Sequence, residues 1–169
     1  MVAETLDPVL PARVQQKAQR VLDAAHENEV KLATAELHRR PFAALLTDVR
    51  GRGHVFDRGF VVYSKDAKCD LLGIARQKVD TCGAVSEPIA REMAQGALRR
   101  SQADIAVSIT GFAGPGGPDD EEGLGHFACA RRDGETCHRE EHFGKIGRDG
   151  VRIAALDVAL QMLEQGLCL

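Results

Sequence analysis

The sequence predicts an α/β protein, a three-layer α/β/α sandwich built around a mixed sheet. Short continuous apolar runs alternate with amphipathic helical stretches, which is the pattern of strands covered on both faces. One Asp-Gly pair between two strand-like segments adds an antiparallel hairpin to that alternation. The chain has 169 residues, the size of one domain, with no Gly-, Ser- or Pro-rich linker and no internal repeat to divide it. A single domain over residues 1–169 is therefore expected, with its core at about 9–166.

Residues Val9 to Glu27 carry Val14, Ala18, Val21, Leu22 and Ala25 at helical spacing. Val30 to Ala35 is short, apolar and partly β-branched, and reads as a buried strand. Pro41 suits the first turn of a short helix through Asp48, which Gly51 to Gly53 ends. Arg58 to Ser64 reads as a second strand, with a helical turn through Leu72 after it. Ser86 suits an N-cap, and Pro88 the first turn of a helix that runs to about Arg100. Ile105 to Ile109 is a continuous apolar run, expected inside the sheet. A Gly- and Pro-rich loop, Gly111 to Gly123, ends in the acidic run Asp119 to Glu122. Leu124 to Arg131 and Thr136 to Phe143 flank Asp133-Gly134 as a hairpin, and Gly147 to Gln165 closes the chain as a helix.

Composition narrows the function classes. A 44% hydrophobic share with 28% charged residues is globular, and a net charge of −3 lacks the basic surplus of a nucleic-acid binder. Aromatic residues make up 4% with no Trp, which leaves few platforms for stacking bases. No apolar run approaches the roughly 18 residues of a membrane helix, and Met1 to Gln15 lacks the apolar core of a secretory signal. The five cysteines are Cys69, Cys82, Cys129, Cys137 and Cys168; they include no CxxC pair, which suits reduced thiols in a cytoplasm. The expected partners exclude nucleic acid and membrane, and a homo-oligomer is expected.

Chemistry concentrates at three places. Ser108 to Gly117 is a buried strand running into glycines, where open α/β sheets bind ligands and bare amides meet anions. A connecting loop that needs glycines for its turns explains the same residues, and no Gly-Lys-Ser/Thr follows to make a Walker loop. Tyr63 to Lys68 sits at a strand end. A tyrosine and a lysine there can serve acid–base chemistry or bind a phosphate; an edge tyrosine beside solvated lysines is the plainer account. Arg39-Arg40 with Arg50, Arg52 and His54 makes a basic surface that is either solvated or attracts a phosphate.

His138-Arg139-Glu140-Glu141-His142 matches the H-x-x-E-H pattern of a zinc protease, which needs a helix to bring both imidazoles to one face. After an Asp-Gly turn the segment reads as a strand, and four residues of strand span about 13 Å, too far for one zinc. No metal and no cofactor are expected. Ser86 as a nucleophile is set aside in favour of its capping role.

The blocks Thr34-Ala35-Glu36, Asp57 to Ser64 with Ala67-Lys68, Gly83-Ala84-Val85-Ser86-Glu87-Pro88, Ser108 to Gly117 and Gly144 to Arg152 together resemble the CinA C-terminal domain family, from about Val21 to Leu163. The resemblance implies an α/β/α sandwich with a mixed sheet. It also implies a nicotinamide-nucleotide amidohydrolase of pyridine-nucleotide salvage, which turns nicotinamide mononucleotide and water into nicotinate mononucleotide and ammonia. The nucleotide-processing domain that precedes this module in longer CinA proteins is not expected here. The site residues it implies are Lys68 as the base with Tyr63 beside it, and substrate contacts from Glu36, Ser108, Thr110, Gly111, Ala113, Gly114, Gly116 and Arg148.

One departure stands out. In active members Thr-Ala-Glu is followed by Ser-Cys-Thr-Gly-Gly, and that serine is the nucleophile. Here Glu36 is followed by Leu37-His38-Arg39-Arg40-Pro41, one residue shorter, so a leucine holds the nucleophile position and both glycines are gone. Three functions stay open: hydrolysis through another nucleophile such as water or Thr110, an inactive module that still binds a pyridine nucleotide, or an oligomeric interaction module without ligand.

Overall fold

The computed structural model describes residues 10–37 and 41–168. Strands β1 (Leu32–Glu36), β2 (Phe56–Val61), β3 (Ile105–Gly111), β4 (Leu124–Arg131) and β5 (Cys137–His142) form one sheet in the order β2-β1-β3-β4-β5. Parallel pairing joins β1 to β2 and to β3, while β3–β4 and β4–β5 are antiparallel, so the sheet is mixed as expected. The helices are α1 (Ala12–Glu27), α2 (Pro41–Thr47), α3 (Lys65–Leu72), α4 (Arg76–Cys82), α5 (Glu87–Arg99) and α6 (Arg148–Gly166).

The two faces of the sheet are packed differently, and the difference is written in side-chain size. Leu32, Ile105, Val107, Ile109 and Phe127 point one way, into a core completed by α1, α2 and α6. Ala33, Ala35, Ala106, Ala128 and Ala130 point the other way, toward α3, α4 and α5. Alanines bring that second helix layer close. Gly96 of α5 carries the same logic further, since a Cβ there would lie 2.5 Å from the Leu72 carbonyl oxygen of α3. Each fully buried Leu, Ile, Val or Phe contributes about 1.5–3 kcal/mol, whereas exposed pairs such as Lys65–Asp80 contribute about 0–1 kcal/mol. Apolar burial on both faces therefore holds the three layers together.

Connectivity opens a crevice at one end of the sheet. The chain leaves β1 through α2 on one face to reach β2, then crosses back over β1 through α3 to α5 on the other face to reach β3. The carboxyl ends of β1, β2 and β3 flank the point where these paths diverge, the place where open α/β sheets take ligands.

Most elements match the sequence reading, and the exceptions have local causes. Val30 donates its amide to Ala25 O at 2.8 Å, closing α1, so β1 starts at Leu32 rather than Val30. Ser64 caps α3 by accepting from Ala67 N at 3.0 Å, which takes Val62 to Ser64 out of the expected strand. Ser86 occupies the N-cap position of α5, but its hydroxyl donates to Gly83 O at 3.0 Å instead of accepting from the helix. Helix α4 was not anticipated: its only buried residue is Val79, too little for a periodic signal. Val9, Arg39 and Arg40 lie outside the described residues.

Candidate functional site

Strand β1 delivers Glu36 and Leu37 to the crevice end of the sheet, on opposite terms. The Glu36 carboxylate is turned toward α2, where it accepts from the amides of Phe42 (3.4 Å) and Ala43 (3.2 Å). Burial pushes its carboxyl up to about 7, and the two amides pull it back only in part. Glu36 thus ties α2 to β1 and does not line the cavity described below. Leu37 does line it.

A second pair of bonds ties β2 to the same corner. The Val62 amide donates to Glu36 O at 2.9 Å, and the Val62 carbonyl accepts from Lys68 Nζ at 2.9 Å. Lys68 is wholly buried, one turn into α3, because the Ser64 cap starts that helix directly behind the strand end. Of its three donors only this one has a partner among the described residues, and desolvation lowers its pKa to about 8. The plain reading of solvated lysines therefore holds for exposed Lys65 and fails for Lys68. Tyr63 is 77% exposed at the cavity rim.

The glycine-rich loop supplies the opposite wall. Its base is clamped to β4: Phe112 N donates to Leu124 O at 2.9 Å and Gly123 N to Phe112 O at 2.8 Å. Gly111 has no room for a side chain, since a Cβ would lie 2.5 Å from the Leu124 carbonyl oxygen. Asp120 folds the tip back by accepting from Gly117 N at 2.7 Å. At Gly114 a Cβ would come within 3.0 Å of Arg148 Nε, so the missing side chain lets the guanidinium at the start of α6 lie against the loop. Four residues along the same helix, Arg152 donates to Asp149 at 3.3 Å while its Nε is buried without a partner.

These walls enclose a cavity of about 1050 Å³, room for a mononucleotide. Of the residues expected at the site, the fold brings Leu37, Tyr63, Lys68, Gly111, Ala113, Gly114, Gly116 and Arg148 around this one space. Glu36, Ser108 and Thr110 are not among its lining residues. Ser108 Oγ donates to Ala90 O at 2.6 Å and Thr110 Oγ1 to Ala84 O at 2.9 Å, which clasps β3 to α5 and to the segment before it. The sequence reading missed Ala84 and Val85 as wall residues, although they lie in a block it had singled out. It also missed Arg152, Ile153 and Leu156 of α6; the i, i+4 spacing of Arg148 and Arg152 was the available signal.

Two other motifs sit elsewhere. The H-x-x-E-H segment is strand β5, as expected. His138 Nε2 lies 3.1 Å from His126 Nδ1, whereas His142 bridges Glu121 (2.6 Å) and Glu140 (2.9 Å), so the two imidazoles serve different neighbours. In the basic run Arg52 donates to Asp23 at 2.8 Å and His54 meets His26 at 2.9 Å, and neither lines the cavity. No helix among the described residues is long and apolar enough to cross a membrane.

Comparison with known proteins places the fold among relatives of known family. The family model described as CinA C-terminal domain matches residues 14–167. The nicotinamide-nucleotide amidohydrolase PncC of Escherichia coli strain K12 is 46% identical over 125 residues, covering 73% of this chain and 75% of its own length. A crystal structure of the competence/damage inducible protein CihA from Agrobacterium tumefaciens superposes with a TM-score of 0.90 at 39% identity, covering 96% of this chain and all of that one. A CinA superfamily protein from Escherichia coli gives a TM-score of 0.84 at 29% identity, with 94% of each chain covered.

Proposed function

This chain belongs to the CinA C-terminal domain family, and from that premise we propose that its cavity takes a nicotinamide nucleotide and is built for hydrolysis of the nicotinamide carboxamide. The observation that carries the reading is the convergence of Lys68, Tyr63, the glycine loop and Arg148 on one cavity at the carboxyl ends of parallel strands. Each residue suits a part of such a ligand. Arg148 and the amides around Gly114 suit a phosphate, and the apolar wall of Leu37, Ile153 and Leu156 suits the flat face of a pyridine ring.

Lys68, with a pKa of about 8, is neutral often enough near neutral pH to take a proton from an attacking oxygen. No serine, threonine or cysteine among the described residues lines the cavity to serve as the attacking group. Leu37 presents only carbon to the cavity where the family places its serine, so attack falls to water, with Lys68 accepting its proton. Removing a covalent nucleophile costs on the order of 10⁴-fold or more in rate, and turnover in this chain is accordingly slow. The proposal includes a cytoplasmic location, assembly as a homo-oligomer and a single CinA C-terminal-like module.

The test pairs calorimetric titration with nicotinamide mononucleotide and an ammonia-release assay on the same protein. Saturable binding with release near background is the expected result. Binding with rapid release refutes the limiting role given to Leu37, and absence of binding refutes the ligand.

A further inference from the structure

Cys129 and Cys137 are direct partners in the β4–β5 register, so their side chains leave the same face of the hairpin. Directly opposed residues of antiparallel strands have Cα atoms about 4.5–5.5 Å apart, inside the window of roughly 4.4–6.8 Å that a disulfide spans. Cys137 Sγ lies 3.5 Å from the Cys129 carbonyl oxygen, so its side chain turns inward across the ladder rather than away from it. Access to the two sulfurs is unequal. Cys137 is exposed at the start of the edge strand, while Cys129 is buried against Ile105 and the end of α6. Arg91 of α5 donates to the carbonyl of Thr136, and Gln95 Nε2 donates to Thr136 Oγ1 at 3.1 Å; this fixes the residue before Cys137 and brings a cation near it.

We propose that Cys137 and Cys129 are a modification site for hydroperoxides, with Cys137 the thiol that is oxidised and Cys129 the thiol that resolves it into a cross-strand disulfide. In the first step the Cys137 thiolate sulfur attacks one peroxide oxygen. The O–O bond breaks, the departing hydroxide takes a proton to become water, and Cys137 becomes a sulfenic acid. In the second step Cys129 sulfur attacks the Cys137 sulfur and the S–O bond breaks. The hydroxide leaves with the Cys129 proton as a second water. Two thiols lose two electrons, and the peroxide gains them.

The electrostatics agree with that division of labour. The neighbouring Cys129 side chain is the main influence holding Cys137 down at about 6, with Arg91 adding to it, while the same pairing and burial hold Cys129 well above the usual thiol range. Cys137 is thus the ready thiolate, and Cys129 keeps the proton that the second step needs. The product pins the edge strand β5 to its sheet neighbour β4 and is reversible by thiol reductants.

The experiment exposes the protein to hydrogen peroxide, then maps peptides under non-reducing conditions, with dimedone present in a parallel sample. The wild-type chain is expected to give one linked peptide pair containing Cys129 and Cys137, which disappears on reduction. Cys137→Ser loses the linked pair, and Cys129→Ser accumulates the dimedone adduct on Cys137. The wild-type map and the exposed Cys137→Ser change decide the matter even if the buried Cys129→Ser chain does not fold. The proposal is overturned if Cys137 stays reduced while Cys69, Cys82 or Cys168 oxidises, or if Cys137 links to any thiol other than Cys129.

Discussion

Lys68 Nζ donates to the Val62 carbonyl oxygen at 2.9 Å, and no carboxylate among the described residues pairs with that ammonium. An isolated buried cation is costly, and its cost depends on pH in a way that can be measured. In the unfolded chain the lysine holds its proton to about 10.5, whereas in the folded protein it lets go at about 8. Between those values the unfolded state binds more protons, so stability rises with pH across the window, and the penalty is fully present below it. Lys68→Met is expected to stabilise the fold by about 1–3 kcal/mol at pH 7. The gain should vanish toward pH 10.5, as followed by denaturant unfolding at several pH values. The same variant should lose any ammonia release.

Glu36 predicts the opposite slope. Its carboxyl titrates near 7 in the fold against an ordinary 4.5, so between these values the folded state binds more protons and stability falls as pH rises. Glu36→Gln should remove that contribution, and its unfolding curves should differ from wild type most above pH 7. Glu36→Ala should instead lower stability by about 1–2 kcal/mol, because the Phe42 and Ala43 amides lose their acceptor.

Arg148 is exposed and makes no ion pair among the described residues, so Arg148→Ala should leave the melting temperature unchanged. Titration with nicotinamide mononucleotide should show an affinity loss of about 10- to 100-fold, the worth of one charge-assisted contact. Gly114→Val should weaken binding in the same direction, because its side chain displaces the guanidinium that the glycine admits. Equal affinity in all three proteins would remove Arg148 from the binding site.

The nucleophile position gives the most exposed expectation. Leu37→Ser alone should leave ammonia release near background, since His38, Arg39, Arg40 and Pro41 still replace the family's small residues and Pro41 has no amide hydrogen to offer an oxyanion. A misplacement of about 1 Å can itself cost on the order of a hundredfold. Rebuilding the segment after Glu36 as Ser-Cys-Thr-Gly-Gly, with the missing residue restored, should raise the rate by orders of magnitude. Recovery by the point change alone would show that loop geometry matters less than the hydroxyl.

Periodicity and punctuation in the chain determined the three-layer class, the interior position of Ile105 to Ile109, the Asp133-Gly134 hairpin and the strand character of His138 to His142. Those features follow from local rules: helical spacing, β-branched apolar runs and turn residues act over a few positions. Which face each residue of β3 takes is a different matter. Ser108 and Thr110 alternate with Val107 and Ile109 inside a strand covered on both sides, so hydrophobicity carries no sign of direction there. Only the packed α5 layer and the segment before it turned their hydroxyls into clasps to Ala90 and Ala84. Burial of Lys68 and the elevation of Glu36 likewise depend on neighbours far along the chain, because desolvation is set by what the fold stacks around a group, not by the residues beside it in sequence.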